Sequence, residues 1–234
     1  MIDLAGDGPT RPTVNLASII AKPTETSLLP HFWSACVGSS HGAMWNRADW
    51  QKHLGMAQKL GGFEYVRGHG ILDEDVQCYS TGISYYNTIR AYSAVLAAGM
   101  KPLVELSFTP NPIASTDSTA FHYKGKNSPP TDMDSYGTYV TNFVQAIVDY
   151  FGVDEVATWK FEVYNEPDLS PLGCTTINLS TNTSDPKCKY FDMFRECSQA
   201  VKNVSTKLQV GGPATSQGRW LTDLATFCNE NDVA

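Results

Sequence analysis

Apolar positions follow two alternating rhythms from residue 32 onward. Short dense runs occur at 32–38 (FWSACVG), 64–69 (EYVRGH), 102–108 (PLVELSF), 159–165 (WKFEVYN) and 208–213 (LQVGGP), and they read as strands. Longer stretches with helical spacing occupy 47–60, 84–98, 133–151, 189–206 and 217–229. Gly61 and Gly62 end the first helix and Gly99 the second, while Pro102 marks the edge of the third strand. The long helix at 133–151 shows its apolar stripe at Phe143, Ile147 and Tyr150.

Strand and helix therefore alternate five times, and no Asn-Gly hairpin signal separates consecutive strands. Such alternation predicts an α/β fold with a parallel sheet. The connections after strands three and four are long, roughly 20 residues each, beyond the usual range. Long loops at the carboxyl ends of parallel strands are where such folds build their sites. No internal repeat or linker interrupts the pattern. Residues 1–30 are expected to form an N-terminal arm and 31–234 a single domain.

Composition narrows the picture by exclusion. Of 234 residues, 42% are apolar and 18% charged, which excludes disorder, collagen and coiled coil. The net charge of −7, with no Lys/Arg run, makes nucleic acid and anionic membranes poor partners, and no apolar stretch is long enough for a membrane span. No G-x-G-x-x-G, Walker A or C-x-x-C occurs, and His and carboxylates do not cluster at metal spacing, so neither cofactor nor metal is expected. The first residues contain no apolar signal segment, so the chain is either cytosolic or a mature or truncated form. Three N-x-S/T sequons, at Asn178, Asn182 and Asn203, favour a secreted or lysosomal/endomembrane-lumen protein. Cys174 and Cys188 bracket two of those sequons; a disulfide closing that loop is the expected reading, with two free thiols the alternative.

The sharpest chemical motif is FEVYNEPDL at 161–169, which puts Asn165, Glu166 and Pro167 where the fourth strand ends. A carboxyl there can face the mouth of a site. The Asn can bond both a carboxyl and a substrate hydroxyl, and the Pro stops the ladder. Glycoside hydrolysis needs such a carboxyl on the leaving oxygen and a second carboxylate across the bond. Glu162 shares the strand parity of Glu166, four residues deeper, and Glu105 sits similarly in strand three. Buried carboxylates need partners, and Arg67 suits either, so these read as an ion network rather than as the reacting pair. Phe108 and Trp45 are candidates for stacking on a sugar or for the core. Gly38-Ser39-Ser40-His41-Gly42 matches the G-x-S-x-G elbow, but 41–46 read as loop where a helix should start, so nucleophilic chemistry at Ser40 is not expected.

With these residues stated, the chain resembles glycoside hydrolase family 39, the β-xylosidase and α-L-iduronidase family. The likeness is carried by FWSACVGS at 32–39, YVRGHGIL at 65–72, KPLVELSFTPNPIAS at 101–115, WKFEVYNEPDL at 159–169, YFDMFRECSQAVK at 190–202 and LQVGGPAT at 208–215. The resemblance implies a (β/α)8 TIM barrel, of which the chain holds about five β/α units. It implies Glu166 as general acid/base, Asn165 on the sugar 2-hydroxyl, and Arg67 and His69 lining the sugar site. His41 matches, more loosely, a sugar-contacting His of the lysosomal branch. Tyr164 stands where the family usually has Trp, and Asp168 leans toward the iduronidase branch. The family's nucleophile is a Glu at the end of strand seven, expected beyond the chain end. The implied activity is that of a retaining exo-acting β-xylosidase on a carbohydrate substrate. An iduronidase-like glycosaminoglycan hydrolase and an inactive carbohydrate-binding fragment are the alternatives. Five strands of a barrel would leave two open edges, so association or instability of the chain alone is expected.

Overall fold

The computed structural model describes residues 30–76, 84–169 and 186–233, with side chains from 189 in the last stretch. The expected arm at 1–30 lies almost wholly outside these residues, as do the pairing of Cys174 with Cys188 and the sequons Asn178 and Asn182. The chain runs β1 (Cys36–His41), α1 (Ala48–Gly61), β2 (Tyr65–His69), α2 (Tyr86–Ala97), β3 (Lys101–Leu106), β4 (Thr119–Ala120), β5 (Gly125–Lys126), α3 (Met133–Phe151), α4 (Val153–Val156), β6 (Lys160–Val163), α5 (Pro186–Val204), β7 (Val210–Gly211) and α6 (Leu221–Glu230). Five strands form one sheet in the order β1-β2-β3-β6-β7, and every pairing in it is parallel. The sheet is thus built from five successive β/α units in parallel, as the alternation predicts, matching the part of a (β/α)8 barrel that the family resemblance implies.

The two faces of the sheet have different chemistry. Val66, Val104, Phe161 and Val163 are fully buried on one face, beneath the helices. On the other face the register aligns His41 with His69 and Glu105 with Glu162. Arg67 pairs with Leu103, two residues before Glu105 on the same side of β3. Strand periodicity alone therefore gathers a polar row on the inner face.

The helices supply the outer layer. Asp132 caps α3 by accepting from the Asp134 and Ser135 amides, a cap worth about 1 kcal/mol. Tyr136, Val140, Phe143, Val144 and Ile147 form the buried stripe of α3, which packs beside α5, where Tyr190, Phe194, Cys197 and Val201 are buried. Each such side chain contributes about 1.5–3 kcal/mol when fully buried. Tyr150 departs from the expected stripe, being 62% exposed in the last turn and standing edge-on to Phe151.

Element boundaries move for local reasons. Residues Phe32–Ser34 form a 3-10 turn rather than the first strand, and their aromatic rings are exposed. β6 stops at Val163 because Tyr164 adopts a left-handed φ of 66°. β7 is two residues long and is followed within two positions by Pro213, which has no amide to donate. The last helix begins at Leu221, after Trp220 turns left-handed. The long connection after β3, expected as plain loop, contains the antiparallel β4–β5 hairpin. Its turn lacks glycine, with Phe121 and Lys124 both at positive φ. Tertiary bonds hold it: the Thr109 amide donates to the Lys126 carbonyl (3.1 Å) and the Thr109 hydroxyl to the Ser128 carbonyl (2.7 Å).

Candidate active site

The inner-face polar row converges on one guanidinium. Arg67 Nε lies 2.5 Å from Glu162 Oε2, and Arg67 Nη2 lies 2.6 Å from Glu105 Oε2. The same Nη2 donates to Asn165 Oδ1 at 3.0 Å. His69 Nδ1 is 2.9 Å from Glu105 Oε2, and the Ser107 hydroxyl donates to Glu105 Oε1. Glu105, whose side chain is fully buried, thus has every oxygen engaged. Arg67 serves both carboxylates, as the ion-network reading expects. Burial opposes the charge on Arg67, but Glu105 and Glu162 prevail and hold its pKa above the usual guanidinium range. For Glu162 burial wins, pushing its carboxyl above the ordinary glutamate value despite Arg67.

The end of β6 arranges the motif residues in a way strand parity does not anticipate. The left-handed Tyr164 breaks the alternation, so Asn165, not Glu166, joins Glu162 on Arg67. Tyr164 itself is wholly buried, edge-on to Phe108 at 5.6 Å, with its hydroxyl donating to the Lys126 carbonyl. Glu166 is also left-handed (φ 44°), and its amide donates to the Ala214 carbonyl at 2.9 Å. Together with Asn165, Phe108, Ala120, Phe121, Asn127 and Leu169, Glu166 lines a cavity of about 170 Å³. Phe121 (52% exposed) and Leu169 (65% exposed) flank it, and Asn127 keeps a buried, unpartnered Oδ1. Sequence reasoning missed Phe121 and Asn127, because only the hairpin carries them to Glu166.

Other candidates find different places. His69 stacks with Phe121 at 5.8 Å and belongs to the Arg67 network. His41 does not hydrogen-bond that network; its Nε2 lies 3.0 Å from Asp75 Oδ2, and its ring stacks on Tyr123 at 3.8 Å. Trp45 and Phe108 are each 2% exposed, and Trp45 stacks on Trp50, so both are core rather than open platforms. Ser40 follows the elbow pattern only in its left-handed φ of 48°: the chain continues into a 3-10 turn, Gly42–Asn46, and α1 begins only at Ala48. Among the described residues no imidazole hydrogen-bonds Ser40. Asp168 is bound to the Ser216 amide and hydroxyl, both at 2.8 Å, which ties the loop after β6 to the loop after β7.

One grouping has metal-ligand character that the sequence spacing hid. His41, Asp73 and Asp75 bring ligand atoms within 4.8 Å of one another. Burial raises the Asp73 carboxyl to about 8, against the Phe108 amide that favours its charge and with Asp75, Glu105 and Glu74 adding repulsion.

A parallel β/α sheet here carries an Asn-Glu pair at the end of its fourth strand, with an arginine-carboxylate network beside it. The model for glycosyl hydrolases family 39 matches residues 18–234, and the chain belongs to that family. It is 36% identical to a beta-xylosidase of Caldicellulosiruptor saccharolyticus over 86% of its length and 41% of the relative's. It is 34% identical to a beta-xylosidase of Geobacillus stearothermophilus, over 86% of this chain and 40% of that one. The crystal structure of a monomeric beta-xylosidase from Caulobacter crescentus superposes with a TM-score of 0.78 at 29% identity, covering 88% of this chain and 41% of that one. The chain thus spans about 40% of the length of the relatives it matches.

Proposed function

We propose that the protein is a retaining, exo-acting β-xylosidase-like glycoside hydrolase whose general acid/base is Glu166. The observation that carries this reading is Glu166 at the end of β6, lining a cavity beside Asn165 while Arg67 fixes Asn165 from behind. Glu166 would protonate the glycosidic oxygen as the C–O bond breaks, then take a proton from the water that releases the sugar. Asn165, Arg67 and His69 would bind the pyranose. Glu105 and Glu162 are committed to Arg67; the family resemblance puts the nucleophile on a further Glu, at the end of the barrel's seventh strand. The iduronidase-like alternative, toward which Asp168 leans, is less supported: the beta-xylosidase relatives are 34–36% identical, an alpha-L-iduronidase of Canis lupus familiaris 25%.

The test uses the protein expressed from its complete coding sequence. Glu166→Ala should lower kcat/KM on xylobiose by roughly 10²–10⁴ and by much less on an activated aryl xyloside, which needs no acid. Equal losses on both would sink the assignment. A wild-type protein that titrates xylobiose calorimetrically but never cleaves it would be a carbohydrate-binding protein instead. A secreted or lumenal compartment belongs to the same proposal. Asn203, exposed near the end of α5, is an accessible sequon among the described residues, and a mass decrease on enzymatic deglycosylation would support this compartment.

A further inference from the structure

A second cluster stands at the carboxyl ends of β1 and β2, apart from Glu166 and the Arg67 network. Asp73 is 6% exposed. Its Oδ1 accepts from the Phe108 amide at 3.2 Å, but its Oδ2 is buried with no hydrogen-bond partner. That oxygen is closely cradled: a Cβ on Gly70 would stand 2.3 Å from it and one on Gly125 3.0 Å. His41 Nε2 lies 4.0 Å away and is already bonded to Asp75. The hydroxyl of Tyr123, whose ring covers His41, is also buried and unpartnered. Asp73, Asp75 and Tyr123 line one cavity of about 240 Å³.

The groups around this oxygen, an imidazole nitrogen and a second carboxylate, are those of a metal shell. Lys126 lines the same cavity, but its ammonium is taken by Asp117 at 2.8 Å; Lys124 stands at the exposed rim. An imidazole nitrogen beside two carboxylates suits a first-row divalent ion such as Zn²⁺ or Mn²⁺, whereas Ca²⁺ selects oxygen alone. We infer that His41, Asp73 and Asp75 form a binding site for one first-row divalent cation. The ion would pin the end of β1 to the turn after β2, and His41 would serve it rather than the sugar.

The test uses untagged protein stripped with EDTA and titrated calorimetrically with ZnCl₂ and with MnCl₂. One equivalent of one of them should bind and raise the melting temperature. Asp75→Asn, at a side chain 40% exposed, should fold normally and weaken binding at least tenfold, as should His41→Gln. Asp73→Asn should lose the ion response. No binding of either ion, or equal binding to wild type and Asp75→Asn, would overturn the site.

Discussion

At the scale of single residues, Arg67 organises the inner face. It is the cation for Glu105, whose side chain is fully buried, and it also holds Glu162 and Asn165. Removing one member of such a buried pair costs about 3–5 kcal/mol, because the remaining charge has no solvent. Arg67→Met should therefore destabilise the fold by about that amount, read from chemical denaturation. It should also change the pH response. Glu162 already has a raised carboxyl pKa, and losing Arg67 raises it further. A group raised in the folded state stabilises below its ordinary value and loses that contribution as pH rises through the folded one. The melting temperature of Arg67→Met should thus fall more steeply between pH 4 and 8 than that of the wild type. An unchanged slope would show that Glu162 does not depend on Arg67.

At the scale of elements, close approach decides which residues a strand tolerates. Gly68 in β2 faces the Trp45 indole, and a Cβ there would stand 2.4 Å from Trp45 Cζ2. Trp45 is buried and stacked on Trp50 at 5.1 Å, so it has little room to give way. Gly68→Ala should cost about 1–3 kcal/mol through overpacking. Gly38→Ala in the neighbouring β1, where a Cβ meets nothing within 4 Å, should be neutral or slightly stabilising. Equal denaturation midpoints for the two variants would refute the packing argument. Elements also show why part of the site was hidden from sequence. Asn165 and His69 were legible from strand ends together with the family resemblance, and Arg67 as the partner that the buried Glu105 and Glu162 need. The left-handed Tyr164 reversed the expected parity, and the β4–β5 hairpin, built without turn glycines, brought Phe121 and Asn127 beside Glu166.

At the scale of the whole molecule, the described sheet ends at β1 on one side and at the two-residue β7 on the other. Unpaired amides and carbonyls along a strand edge template association. The 234-residue polypeptide expressed by itself should elute above its monomer position and do so increasingly with concentration. A monodisperse monomer with a cooperative melt would show the edges to be adequately covered.

The sequence by itself determined the five β/α alternations, the parallel sheet, the Arg67–Glu105–Glu162 network and the placing of Asn165 and Glu166 at a strand end. Each follows from local periodicity and from the need of buried charges for partners. Tertiary structure alone decided which residues meet across loops. It spent Asp168 on Ser216, buried Trp45 and Phe108, and joined His41 to Asp73 and Asp75 across more than 30 positions of chain. Such meetings depend on loop paths and left-handed turns, for which the chain carries no short-range signal.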